Sequence, residues 1–71
     1  MMCVWVKNTS LECNYFSEQA KVVGHILEVY SDRFGEDWYY EIDGRDYFGR
    51  FVSIEKAKEF AENVLQEIMN A

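Results

Sequence analysis

The stretch Trp38-Tyr39-Tyr40-Glu41-Ile42-Asp43-Gly44-Arg45-Asp46-Tyr47-Phe48-Gly49-Arg50-Phe51-Val52-Ser53 decides the fold class. In its first six residues Trp38, Tyr40 and Ile42 alternate with Tyr39, Glu41 and Asp43, the two-residue period of a strand with one face in a core and one in water. Gly44-Arg45 suits a two-residue hairpin turn with glycine at its first central position, and Tyr47 to Val52 returns as a second strand. In that register Ile42 faces Tyr47, Tyr40 faces Gly49 and Trp38 faces Phe51, so the inner face is aromatic and a large ring covers the glycine gap. The outer face carries Tyr39, Glu41, Phe48 and Arg50.

Moving toward the C-terminus, Ser53 is a good N-cap and Glu55 places a carboxylate in the first turn. Ile54, Ala57, Phe60, Ala61, Val64, Leu65 and Ile68 then recur at helical spacing, which predicts an amphipathic helix over 53–69.

Toward the N-terminus the pattern is mixed. Residues 22–30, Val-Val-Gly-His-Ile-Leu-Glu-Val-Tyr, have strong β propensity and suit a strand. Ala20, Val23, Leu27, Tyr30 and Phe34 nevertheless fall three and four apart, Ser17 can cap, and Gly35 can stop the run, which favours a helix over 17–32. In that helix Val22, Ile26 and Val29 form a second apolar stripe, a candidate dimer face. Ahead of it, Cys3 to Lys7 and Leu11 to Phe16 are short alternating runs around Asn8-Thr9-Ser10, the pattern of another hairpin.

The expected architecture is therefore α+β, a ββαββα chain whose antiparallel sheet carries two helices on one face. It forms a single domain, 1–71, made of two similar ββα units, 1–35 and 36–71. The fallback is a three-stranded antiparallel sheet with one C-terminal helix.

Composition bounds the function. A chain of 71 residues is one small domain, and the 49% of residues that are apolar supply a core rather than a disordered segment. A formal charge of −6 disfavours phosphate backbones and anionic lipid. With no run of about 18 apolar residues and no secretory leader pattern, Cys3 and Cys13 are expected as reduced thiols of a cytoplasmic protein.

Chemistry-bearing motifs are sparse. His25, Cys3 and Cys13 lack the spacing of a zinc site, and no Cys–His pair has a recognisable orienting group. Gly24, Gly35, Gly44 and Gly49 form neither a dinucleotide nor a phosphate loop. No catalytic residue, metal or cofactor is expected.

The charge distribution says more. Residues 32–46 hold six acids and two arginines, so that segment alone accounts for four of the six net negative charges. The candidate partner-binding residues are Asp37, Tyr39, Glu41, Asp43, Asp46, Phe48 and Arg50, with carboxylates steering the encounter and rings anchoring it.

Trp38, Tyr40 and Ile42, the run Tyr47-Phe48-Gly49-Arg50-Phe51, then Ser53, Glu55, Ala57 and Ala61 make residues 38–64 resemble the end of plant AP2-type and phage-integrase arm-binding domains. That resemblance implies a DNA-binding sheet using the positions of Tyr39, Glu41, Phe48 and Arg50, of which only Arg50 suits the role. Size and acidity are similar in style to small phage accessory proteins, including anti-CRISPR inhibitors. The expectation that follows is a non-enzymatic protein-binding module, a phage or mobile-element inhibitor whose partner is a larger protein with a basic surface. A nucleic-acid-binding sheet domain and a homodimeric regulatory protein are the alternatives.

Overall fold

The computed structural model describes residues 3–7, 16–31 and 36–71, with the side chain of Phe48 outside that description. Among the described residues, five strands and one helix follow in order: β1 Val6–Lys7, β2 Ser17–Val22, β3 His25–Ser31, β4 Trp38–Ile42, β5 Arg45–Phe51 and α1 Ile54–Asn70. The strands form one sheet in the order β1-β2-β3-β4-β5, each antiparallel to its neighbour. The protein is thus α+β, an open antiparallel sheet with a single C-terminal helix.

The ββαββα pattern is not matched. Residues 17–31 form the β2–β3 hairpin where a helix over 17–32 is expected, and among the described residues α1 is the only helix, so no repeated ββα unit is completed. The β-branched run from Val22 to Val29 prevails because strand pairing buries Leu27 and Val29 fully. The fallback, an antiparallel sheet carrying one C-terminal helix, describes the fold, with more strands than the three it expected. Of the remaining N-terminal expectations, the run 11–15, the turn Asn8-Thr9-Ser10, Cys13, Phe34 and Gly35 lie outside the described residues.

Register explains which face the helix covers. Ala20, Leu27 and Ile42 align across β2, β3 and β4, and Glu18, Val29, Tyr40 and Tyr47 align in the next row, from β2 to β5. Leu27, Val29, Tyr40 and Ile42 are buried there against Ala57, Ala61 and Leu65, which recur every four residues along one stripe of α1. Two alanines in that stripe let the helix axis approach the sheet closely, while Leu65 fills the space beyond them. Each fully buried leucine contributes roughly 1.5–3 kcal/mol by leaving water.

The helix starts where the sequence predicts. Ser53 Oγ accepts a hydrogen bond from the Lys56 amide at 3.3 Å, and Glu55 sits in the first turn beside the positive end of the helix dipole. Two polar contacts tie its outer turns to the first strands: Lys58 Nζ meets Glu18 Oε1 at 2.9 Å, and Trp5 Nε1 donates to Glu62 Oε1 at 3.3 Å. The Lys58 ammonium also lies 5.4 Å from the Trp5 ring centroid, a cation–π contact that closes this edge. Trp5 thereby belongs to the helix-covered side. Among the described residues, no helix is long and apolar enough to cross a membrane.

Both two-residue turns use positive backbone angles. Asp43 and Gly44 have φ of 53° and 79°, and Val23 and Gly24 have φ of 47° and 81°. Left-handed residues at both central positions match the right-handed twist of the flanking strands. The second turn is therefore centred on Asp43-Gly44 rather than Gly44-Arg45, and Ile42 faces Arg45 instead of Tyr47. Tyr40 faces Tyr47 rather than Gly49, and a bulge between Trp38 and Tyr40 restores the expected Trp38–Phe51 pair. The ring over Gly49 is that of Phe51, close enough that an added Cβ would lie 3.1 Å from it.

Candidate functional site

The face of the sheet opposite α1 carries a continuous polar row. Gln19 on β2 pairs with Glu28 on β3, Glu28 with Glu41 on β4, and Glu41 with Asp46 on β5. Three carboxylates thus stand side by side on successive strands, where directly opposed residues bring their Cβ atoms to about 4.5–5.5 Å. Below them Ser17, Tyr30 and Tyr39 align in a second row. The Tyr30 and Tyr39 rings stack with centroids 5.5 Å apart. Tyr30 reaches across β4 and donates its hydroxyl proton to Asp46 Oδ1 at 2.7 Å, linking the outer strands of the row. Glu28, Tyr30, Ser31 and Glu41 line a shallow depression at this point.

Electrostatics follow from that packing. Burial, then a hydrogen bond to Asp46, then the charges of Asp46 and Glu28 raise the Glu41 carboxyl above its ordinary range. Burial, followed by the bond to Asp46, likewise raises the Tyr30 phenol, so it stays a donor at neutral pH. Among the described residues no three His, Cys, Asp or Glu side chains converge so as to hold a metal ion.

Of the expected partner-binding residues, the structure brings Tyr39, Glu41 and Asp46 together on this open face. Asp43 is held apart in the turn, where Oδ2 meets His25 Nδ1 at 2.7 Å and Oδ1 accepts from the Ile26 amide at 2.8 Å. Those two bonds, the histidine first, lower its carboxyl below the ordinary value. Asp37 and Arg50 lie toward the other end of the hairpin as an ion pair at 4.0 Å. Phe48 lies within β5.

Glu28 and Tyr30 complete the row but were not among the expected site residues. Placed in a helix, they carry no cross-strand partner; placed in a strand, the alternation Ile26, Glu28, Tyr30 against Leu27 and Val29 puts them on the polar side. The same change dissolves the expected dimer face. Val29 is fully buried in the core, Ile26 is 43% exposed on the opposite face, and Val22 packs against the edge of the core.

Cys3 is a free thiol beside Glu62, and burial together with that carboxylate pushes its pKa up to about 11, which keeps it protonated and weakly nucleophilic. The positions that the DNA-binding resemblance assigns to contacts include Glu41, which sits at the centre of the acidic row. Phosphate contact there would require desolvating carboxylates against like charge. Comparison with protein-family models, with curated proteins and with solved structures finds no match.

Proposed function

We propose that this chain is a small non-enzymatic protein-binding module that docks through the face of its sheet opposite α1 onto a larger protein with a basic surface. The observation that carries this reading is the row Glu28–Glu41–Asp46 beside the stacked Tyr30–Tyr39 pair, on the side that α1 leaves open. Clustered carboxylates raise the encounter rate with a cationic surface, and two rings already stacked lose little side-chain entropy when they become an anchor. Stoichiometric occlusion of a basic functional surface is the mode of action this chemistry suits, which is the behaviour of phage and mobile-element inhibitors.

The test is capture of the partner from lysate of the native cell, followed by titration with the purified partner. Tyr39→Ala is expected to cost about 2 kcal/mol or more, roughly thirtyfold in Kd. The triple variant Glu28→Gln, Glu41→Gln, Asp46→Asn is expected to slow association and to flatten its salt dependence. Unchanged affinity and salt dependence in both variants would refute docking through this face.

A further inference from the structure

The flank of α1 that looks past β5 is apolar and partly in water. Lys58 and Glu62 belong to the opposite flank, where they meet Glu18 and Trp5. On the β5 side the Phe60 ring lies against Phe51 with centroids 4.8 Å apart, yet Phe60 remains 48% exposed. Val64, one turn on, packs at the edge of the core, and Ile68 after it is 40% exposed. Exposed charges of opposite sign bracket this stripe, Lys56 one turn before Phe60 and Glu67 one turn after Val64. Lys56 meets Glu59 of its own helix only at 3.6 Å, a pair in which both side chains stay mostly in water. Beside the flank, β5 is the last strand of the sheet among the described residues, and between its pairs with Trp38 and Tyr40 one residue of β4 faces three of β5. That bulge breaks the regular edge along which a further strand would pair, so an occupant of this side meets the helix.

We propose that this flank is the two-fold interface of a homodimer, in which α1 packs antiparallel against α1 of a second copy. The stripe is complementary to itself in that orientation. Antiparallel packing sets Phe60 of each copy against Val64 of the other, and Lys56, about 6 Å before Phe60, then comes beside the other copy's Glu67, about 4.5 Å beyond Val64. The two-fold makes each of these contacts twice. Parallel packing would instead oppose Lys56 to Lys56 and Glu67 to Glu67, like charge to like. Removal of Phe60 and Ile68 from water drives the association, while the exposed ion pairs fix its direction. One helix flank is a small interface, so the dimer is weak, with a Kd on the order of 10–100 μM. The flank lies on the α1 side of the sheet, away from Glu28, Glu41 and Asp46, so the dimer neither requires nor blocks docking through the opposite face.

The experiment is sedimentation equilibrium of the full chain from about 5 μM to about 1 mM, in about 0.15 M salt, where repulsion between chains of formal charge −6 is screened beyond roughly 8 Å. The wild type is expected to pass from monomer to dimer within that range. Lys56→Glu and Glu67→Lys each set like charges across the interface and should raise the Kd about threefold or more, whereas the double variant should recover the wild-type value. Both single changes suit the helix dipole, so weaker association cannot come from a failing helix, and circular dichroism checks this. Phe60→Glu should abolish the dimer, and Ile26→Ala on the opposite face should leave its Kd unchanged. A chain that stays monomeric throughout overturns the proposal and leaves the flank to a different protein. So does a dimer that ignores Phe60→Glu, or one that the double charge swap fails to restore.

Discussion

The two tight hairpins of the sheet have the same backbone and different chemistry. Each turns on a pair of left-handed residues ending in glycine, Val23-Gly24 between β2 and β3 and Asp43-Gly44 between β4 and β5. Aspartate tolerates that conformation, and here its carboxylate also binds the Ile26 amide and His25. Valine is branched at Cβ, is 82% exposed, and gains no burial in return for the strain. The second turn thus reinforces its hairpin and braces the first, while the first turn is held by the strands on either side. Strand pairing and burial, more than turn preference, set the β2–β3 register.

Leu27 is where that dependence is greatest. It faces Ala20 in the first hairpin and Ile42 in the second, and it is fully buried beneath α1. Leu27→Ala is expected to lower unfolding stability by about 2–5 kcal/mol, measured by urea denaturation. Ile26→Ala, one residue away on the opposite face, should cost less, because its side chain is 43% exposed already. Comparable losses at the two positions would mean that the sheet is not covered on the Leu27 side alone.

The turn glycines separate backbone strain from packing. A Cβ added at Gly24 or at Gly44 meets nothing within 4 Å, so the cost of alanine at either site is conformational. Gly24→Ala and Gly44→Ala should each destabilise by about 1–2 kcal/mol, and by similar amounts. A large inequality would show that one of the two turns relaxes into another conformation.

This difference between turns also explains what the sequence disclosed. The β4–β5–α1 half is legible because its alternation is strict, its turn contains Asp-Gly, and Ser53 caps the helix; the turn centre is misplaced, since aspartate and not glycine takes the first central position, and with it the register beside the turn, while the bulge between Trp38 and Tyr40 leaves no mark in the alternation. The β2–β3 half was misread because Val23-Gly24 lacks a polar turn residue. Ala20, Val23, Leu27 and Tyr30 also happen to fall at helical spacing. The branched residues Val22, Ile26 and Val29, taken there as a second stripe, were the sign of a strand. The same misreading hid Glu28 and Tyr30, so only Tyr39, Glu41 and Asp46 of the acidic face were foreseen.

If valine is the strained member, replacing it should strengthen the first hairpin. Val23→Asn, which tolerates the left-handed region, is expected to raise stability by about 1 kcal/mol. Both turns lie at the His25 end of β3, but the gain should persist in an Asp43→Asn background, because it comes from relief of backbone strain at Val23 itself. A loss of stability in Val23→Asn would mean that the exposed methyl groups make a contact that offsets the strain.

The smallest effect, and the one that most sharply distinguishes the turns, depends on pH. The folded protein holds the Asp43 carboxyl below its ordinary value, chiefly through His25 and then through the Ile26 amide. A carboxylate depressed on folding contributes stability that is fully present above its unfolded value and disappears as pH falls through its folded value. Asp43→Asn keeps a residue that accepts the left-handed angle and can still accept from the Ile26 amide, so it removes the charge with little change of shape. The wild type should therefore exceed Asp43→Asn in urea midpoint near neutrality and converge with it in acid, while the difference between wild type and Val23→Asn stays constant with pH. A pH-independent gap for Asp43→Asn would show that its bond to the Ile26 amide, and not its charge, is what the second turn contributes.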